Sequence, residues 1–158
     1  MKDPGARPLP APPGIRYPRR LEIPRSLPYR GRVSTTQHSI TLLLVENNRD
    51  VREALKEILE SEDYRVFTAV NGQDALNVLS RLERVPELIL LDLVMPVMDG
   101  HAFIDHLRRL GVLPLTRVLV LTAHPTLPLP QGVSGRLGKP VRLEELLDAI
   151  AVHAMPAA

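Results

Sequence analysis

The pattern of apolar and polar positions alternates between strand-like and helix-like segments from residue 39 onward. Apolar runs of strand length occur at residues 40–45, 65–70, 88–91 and 117–121. After the first three runs, and again from residue 143, apolar residues recur every three or four positions, which is the spacing of an amphipathic helix. The four helical stripes are Val51, Leu55, Ile58 and Leu59; Ala75, Leu76, Leu79 and Leu82; Phe103, Ile104, Leu107 and Leu110; and Leu143, Leu146, Leu147 and Ile150. Strands that alternate with helices indicate βαβ units and a parallel sheet.

Polar residues and glycines between these segments predict where the helices begin and end. Asp50 together with Glu53 can cap the first helix, and Asn71–Gly72 is a turn that can cap the second. Asp99 is expected to cap the third helix, and Gly111 is expected to stop it.

Chemically reactive side chains follow the predicted strands at their carboxyl ends. They are Glu46 and Asn47, then Asp92, Thr122 and Lys139. In open α/β sheets, ligands bind outside this edge. A carboxylate near a divalent ion, a hydroxyl and a lysine suits phosphoryl transfer, because the charge on the phosphoryl oxygens must be neutralised. Asp92 can then be the nucleophile of an aspartyl phosphate, with Mg²⁺ bridging Asp92 and the phosphoryl group.

The charge distribution separates a basic tail from a mildly acidic body. Residues 1–38 contain 8 Lys/Arg and 2 Asp/Glu, whereas residues 39–158 contain 12 and 16. The tail also holds 8 of the 16 prolines and shows no helical or strand period. We therefore expect a disordered, polyproline-like tail at 1–38 and one folded domain at 39–155. Nucleic-acid binding is expected only if this tail, with Tyr17, Arg19 and Arg20, forms a docking arm.

The composition excludes several other classes of protein. The chain has no cysteine, so disulfides and thiolate metal sites are excluded. No apolar stretch approaches the ~20 residues that span a bilayer, and the N-terminus lacks the apolar core of a secretory signal. A cytoplasmic protein without a membrane segment is expected.

Three motifs in order resemble the receiver domain of two-component response regulators. They are LLDLVMPVMDG at residues 90–100, LTA at residues 121–123 and Lys139–Pro140, a bond that is often cis in this family. The resemblance covers about residues 40–154. It implies a flavodoxin-like, doubly wound, five-stranded parallel sheet in the order 2-1-3-4-5.

The resemblance also implies roles for single residues. A histidine kinase or a phosphotransfer protein would donate a phosphoryl group to Asp92, while Thr122 and Lys139 would contact the phosphoryl oxygens. The metal ligands for Mg²⁺ would be Glu46, Asn47, Asp92 and the backbone carbonyl of Val94. His124, two residues after Thr122, would border the phosphoryl group and tune its hydrolysis.

Other residues near these motifs are assigned no chemistry. Three residues of the loop after Asp92 are expected to shape it and fill gaps, namely Met95, Pro96 and Met98. The remaining histidines are expected to be exposed or structural, namely His38, His101, His106 and His153.

Asn47 departs from the family pattern. The family usually has a second acidic residue here, and that residue binds the metal directly. An amide oxygen can still bind Mg²⁺, but only Glu46 and Asp92 then contribute negative charge. Because Mg²⁺ gives up its water reluctantly, weak Mg²⁺ binding is expected unless asparagine is simply tolerated.

The segment between Thr122 and Lys139 departs as well. HPTLPLPQGVSGRLG, at residues 124–138, contains three prolines and no helical stripe. The family's helix between the fourth and fifth strands is therefore expected to be reduced or absent, with a short fifth strand at 136–138. Arg136 stands where receivers usually carry an aromatic switch residue, and an arginine needs a polar partner to be buried. In the family, that helix and the aromatic residue together form the surface that usually carries the output. Both parts of this surface are thus altered here.

These observations favour a stand-alone receiver that is phosphorylated on Asp92 and acts on an unknown downstream protein. It would be a signalling phosphoacceptor, with at most self-catalysed phosphorylation and dephosphorylation, rather than an enzyme. The first alternative is a pseudo-receiver that binds proteins without phosphorylation, as Asn47, Arg136 and the missing helix suggest. The second is a phosphohydrolase with an aspartate nucleophile. Haloacid dehalogenase-type enzymes usually carry a second aspartate two residues later, where this chain has Val94.

Overall fold

The computed structural model describes residues 39–154, in which an open parallel sheet carries helices on both faces. The strands are β1 (Thr41–Val45), β2 (Arg65–Ala69), β3 (Leu88–Asp92), β4 (Arg117–Thr122) and β5 (Gly135–Gly138). They run in the order β2-β1-β3-β4-β5, which confirms the predicted flavodoxin-like sheet. The expectations for the tail at 1–38, including His38, and for the last residues of the domain lie outside the described residues.

Four helices and one short 3₁₀ turn connect or follow these strands. The helices are α1 (Arg49–Ser61), α2 (Gly72–Arg81), α3 (Gly100–Arg109) and α4 (Leu143–His153), and the 3₁₀ turn is Leu113–Leu115. The connection from β4 to β5, residues 123–134, contains no helix, as predicted. Its three prolines lack the N–H donors that a helix would need. Within residues 39–154, no helix is long and apolar enough to cross a membrane.

The N-terminus of α1 differs from the prediction. Asn48, not Asp50, caps the helix, and its side-chain oxygen accepts a 3.1 Å hydrogen bond from the backbone N–H of Val51. Glu53 does not reach back to a cap but pairs with Arg49 at 2.8 Å. The predicted cap was wrong because the helix begins at Arg49, before the apolar stripe that was used to place it.

The other predicted helix ends are confirmed. Asn71 caps α2 by accepting from the N–H of Asp74, and Asp99 caps α3 by accepting from the N–H of Ala102, each at 2.9 Å. Gly111 follows α3 with a φ of 70°, a left-handed conformation that glycine adopts without steric cost.

The apolar side chains form two layers, one on each face of the sheet. One layer packs the sheet against α2 and α3, and the other packs it against α1 and α4. All five residues of β3 are buried, so its apolar run continues without alternation until Asp92. Each fully buried leucine contributes on the order of 2 kcal/mol to this packing. The reactive side chains are thus displaced to the edge of the sheet, where the apolar runs end.

Candidate functional site

The strand register brings the predicted site residues to one edge. Thr122 is paired with Gly138, and Asp92 is the last residue of β3. Glu46 and Lys139 are the first residues after β1 and β5. Because all five strands are parallel, these four positions lie at the same carboxyl edge, where ligands bind in open α/β sheets.

Lys139 joins the two carboxylates of this edge. Its Nζ donates to Oε2 of Glu46 at 2.6 Å and to Oδ2 of Asp92 at 3.1 Å. Glu46 is 1% exposed and Asp92 is 7% exposed. Burial lowers the pKa of Lys139, but the hydrogen bonds and charges of Glu46 and Asp92 outweigh it and raise that pKa above its usual range. The lysine therefore remains a cation near neutral pH and lies between the two carboxyl groups.

The second oxygen of each carboxylate is held by the backbone. Oε1 of Glu46 accepts from the N–H of Asn48 at 3.0 Å, and Oδ1 of Asp92 accepts from the N–H of Val94 at 3.1 Å. Such side chain-to-backbone bonds two residues onward define local turns. Both carboxylates are therefore oriented by their own turns as well as by Lys139.

Asn47 lies against both carboxylates. The amide orientation that satisfies its hydrogen bonding places Nδ2 at 3.3 Å from Oε1 of Glu46 and 3.2 Å from Oδ2 of Asp92. In this orientation the amide donates to the acidic pair. Rotating the amide would instead present its oxygen, so the same side chain can serve either the acidic pair or a cation.

The donor atoms at this edge suit Mg²⁺, but they carry one negative charge fewer than they would with a carboxylate at position 47. Carboxylate oxygens of Glu46 and Asp92, the amide oxygen of Asn47 and the backbone oxygen of Val94 are all hard oxygen ligands. Among residues 39–154, no group of three acidic, histidine or cysteine side chains gathers to hold a metal. With its amide rotated, Asn47 would add a third side-chain oxygen without a third charge, so the residues present fit Mg²⁺ with two formal negative charges.

Thr122 and His124 are linked through the backbone of the turn after β4. Thr122 is 1% exposed, and its Oγ1 accepts a 3.0 Å hydrogen bond from the N–H of His124. The side chain of His124 is exposed. His124 therefore contacts the site residue Thr122 through its peptide group.

Arg136 has the polar partners that its position requires. Its guanidinium donates to the backbone carbonyls of Pro125 and Leu127, the latter at 2.9 Å. Both carbonyls belong to the connection that has lost its helix. Sequence reasoning found the unusual arginine but missed these acceptors, because their position depends on the path of the loop.

Gly100 is a site-forming residue that sequence reasoning missed. A Cβ at this position would lie 2.8 Å from Cα of Leu93 and 2.9 Å from the carbonyl oxygen of Asp92. The Asp99–Gly100 pair at the end of the long motif was the available signal. In the loop before Gly100, Met95 is buried and Met98 packs against the same apolar cluster, as predicted, whereas Pro96 is exposed and fills no gap.

The remaining histidines of the described region lie away from these groups. His101 is exposed, and a ring nitrogen of His106 lies 2.9 Å from the carbonyl oxygen of Ala102. His153 is half-buried and lies beside Gly135 at the far end of α4. These positions agree with the exposed or structural roles predicted for them.

Comparison with known proteins places this chain in one family. The family model of the response regulator receiver domain matches residues 42–151. Sporulation initiation phosphotransferase F of Bacillus subtilis is 35% identical over 115 residues, which cover 69% of this chain and 89% of that protein. Sensor histidine kinase RcsC of Salmonella typhi is 33% identical over 132 residues, which cover 82% of this chain but 14% of the kinase.

Solved structures show the same fold. Chemotaxis protein CheY4 of Vibrio cholerae matches with a TM-score of 0.63 and 28% identity, covering 73% of this chain and 98% of that one. The receiver domain of hybrid histidine kinase CckA matches with a TM-score of 0.62 and 25% identity, covering 73% of this chain and 99% of that one. With its sheet order, its motifs and the match over residues 42–151, the chain belongs to the response regulator receiver family of two-component signalling.

Proposed function

We propose that this chain accepts a phosphoryl group on Asp92 from the phosphohistidine of a histidine kinase or phosphotransfer protein. The observation that carries the proposal is the ammonium of Lys139, which binds Asp92 and Glu46 together at the buried edge. A cation already bound to the acceptor can stabilise the charge that phosphorylation adds. The phosphorylated form would act in the cytoplasm by contact with a downstream protein.

The transfer itself is a displacement at phosphorus. A carboxylate oxygen of Asp92 forms the new P–O bond, while the P–N bond of the donor breaks and its electron pair remains on the imidazole. The backbone N–H of Val94 and the ammonium of Lys139 hold the carboxylate for this attack. Mg²⁺, when bound by Glu46, Asp92, the Val94 carbonyl and an oxygen of Asn47, supplies positive charge for the phosphoryl oxygens.

Thr122 supplies the hydroxyl of the proposed site. Its oxygen is fixed by the N–H of His124, so its single proton is the group that can be donated to a phosphoryl oxygen. Lys139 places a point charge on another oxygen. Asp92, Thr122 and Lys139 lie at the ends of three adjacent strands. The pairing of these strands therefore sets the distances between the three side chains.

A pseudo-receiver is the second candidate, and the position of Asn47 favours it. With its amide nitrogen beside Glu46 and Asp92, Asn47 joins Lys139 in satisfying the acidic pair without a metal. Such a chain would bind its partner without phosphorylation. The phosphohydrolase alternative gains no support, since Val94 offers no acid or base where a second aspartate would be needed.

Intact-mass measurement after incubation with acetyl phosphate tests the proposal. The wild-type chain should gain one phosphoryl group in Mg²⁺ and none in a chelator. Asp92→Asn should gain none, whereas the matched variant Asp99→Asn should be labelled like the wild type, because Asp99 is an exposed helix cap. Labelling that persists in Asp92→Asn would show that the acceptor is another residue. An unlabelled wild-type chain at every Mg²⁺ concentration would favour the pseudo-receiver.

A further inference from the structure

A chain of hydrogen bonds runs from Arg136 on β5 to the hydroxyl of Thr122 on β4. Arg136 donates through Nη1 to the carbonyl oxygens of Pro125 and Leu127. The N–H of Leu127 donates to the carbonyl of His124 at 3.2 Å, and the N–H of His124 donates to Oγ1 of Thr122 at 3.0 Å. The turn after β4 is therefore tied on one side to Arg136 and on the other to Thr122.

The guanidinium serves two carbonyls that this connection leaves without helical partners. In a helix, the carbonyls of Pro125 and Leu127 would accept from N–H groups four residues later, but residues 123–134 form no helix. Arg136 forms no ion pair with any residue in the 39–154 region, so its N–H groups are free to serve carbonyls. A planar fork with five N–H donors can hold two neighbouring carbonyls at once.

The hydroxyl of Thr122 is held by its oxygen rather than by its proton. Oγ1 accepts from the N–H of His124 at 3.0 Å but donates to the carbonyl of His124 over a long 3.4 Å. The long bond is weak, so the proton can be redirected to a phosphoryl oxygen at little cost. The position of the oxygen depends on the backbone of His124, and that backbone depends on the turn that Arg136 holds.

We propose that Arg136 is a positioning residue for the phosphorylation of Asp92. It anchors the turn at residues 124–127 so that the peptide of His124 fixes the hydroxyl of Thr122 for the phosphoryl group. This inference rests on the proposed function. Arg136 then stands at the family's aromatic position and holds the turn by hydrogen bonds. This explains how the chain keeps Thr122 in place without the helix between β4 and β5.

Amide hydrogen exchange tests the anchor without any phosphoryl donor. Arg136→Ala should accelerate exchange of the Leu127 and His124 amides by about tenfold, because their turn loses both tethers. Arg136→Lys should give an intermediate rate, since an ammonium can still donate to one of the carbonyls. Arg142→Ala, which removes an exposed arginine elsewhere, should leave both amides unchanged. Unchanged exchange in Arg136→Ala would overturn the anchor.

A double-mutant cycle on the acetyl phosphate labelling rate tests the action through Thr122. In wild type, Arg136→Ala should slow labelling by about tenfold; in the Thr122→Val background it should change the rate by less than about twofold. The Mg²⁺ concentration for half-maximal labelling should stay the same, because Arg136 contacts none of the proposed metal ligands. Arg136→Lys should restore part of the rate.

The outcomes separate this inference from the proposed function. Independent, multiplicative losses in the cycle would overturn the positioning role, because Arg136 would then act without Thr122. A wild-type chain that is never labelled would refute the proposed function, and the exchange rates would then decide whether Arg136 holds the turn.

Discussion

The ammonium of Lys139 lies 2.6 Å from Oε2 of Glu46, across 93 residues of sequence. The same ammonium reaches Asp92, so the acidic pocket contains its own counter-ion. Two buried carboxylates that faced each other without a cation would repel and lose hydration. The lysine therefore stabilises the resting pocket and is also the cation closest to the proposed acceptor.

The stability that Lys139 contributes should depend on pH. Its folded-state pKa is raised above the ordinary 10.5, so the contribution is complete below that value and is lost as the pH rises through the folded pKa. Lys139→Met should be less stable than wild type by about 1–3 kcal/mol near neutral pH, since the side chain of Lys139 is itself only partly buried. Urea unfolding of both proteins from neutral to alkaline pH measures the difference in their free energies of unfolding. This difference should shrink above pH 10.5.

Lys56→Met is the control for this measurement. Lys56 pairs with Glu60 on the exposed face of α1, so its replacement should change stability little at any pH. A stability difference between wild type and Lys139→Met that stayed constant through the alkaline range would contradict the assigned ion pair.

Asn47→Asp should strengthen Mg²⁺ binding by about tenfold, because a third carboxylate would then face the cation. In a chelator the same variant should melt at a lower temperature, since the new charge would face Glu46 and Asp92 in place of an amide donor. Thermal melts during a Mg²⁺ titration measure both effects.

Asn48→Asp adds the same charge one residue later and keeps a good N-cap, so it is the matched control. Similar Mg²⁺ titrations for the two variants would show that added charge alone, rather than the place of Asn47, sets the affinity. An unchanged titration for Asn47→Asp would remove Asn47 from the metal site.

Asn48→Ala should destabilise the protein by about 1 kcal/mol, because α1 loses the side chain that accepts from the N–H of Val51. Asp50→Ala should cost less, about 0.3–0.5 kcal/mol, since Asp50 interacts only with the dipole of the first turn. Denaturant unfolding compares the two losses. A larger loss for Asp50→Ala would favour the cap suggested by the sequence pattern over the one in the structure.

Gly100→Ala should destabilise the fold by about 1–3 kcal/mol and slow phosphorylation of Asp92. The added methyl group would press on the backbone of Leu93 and Asp92, which cannot move without shifting the end of β3. Gly138→Ala is the control, because a Cβ there meets no atom within 4 Å. Thermal melts and labelling rates measure both variants, and equal behaviour of the two would contradict the close approach at Gly100.

The pattern of apolar and polar residues was sufficient to predict the order of strands and helices. It was insufficient to predict the contacts at the carboxyl edge of the sheet. Apolar runs and helical stripes predicted the parallel sheet, and three prolines predicted the missing helix. The cap of α1 was misplaced, since Asp50 and Asn48 are both good capping residues. The residue at which the helix begins after β1 decides between them, and the structure places that start at Arg49. The partners of Arg136 were not predictable, because backbone carbonyls carry no signature in the sequence.

The sequence by itself determined which residues reach the carboxyl edge. Continuous apolar runs and the 3.6-residue helical spacing are local patterns, and Glu46, Asp92 and Thr122 end or directly follow those runs, at the edge where parallel strands finish. The tertiary structure decided which of those groups touch. The shared ammonium of Lys139, the amide of Asn47 between two carboxylates and the tether from Arg136 depend on strand register and loop path. Such contacts join atoms that are distant in sequence, and only the packed sheet brings them within hydrogen-bonding distance.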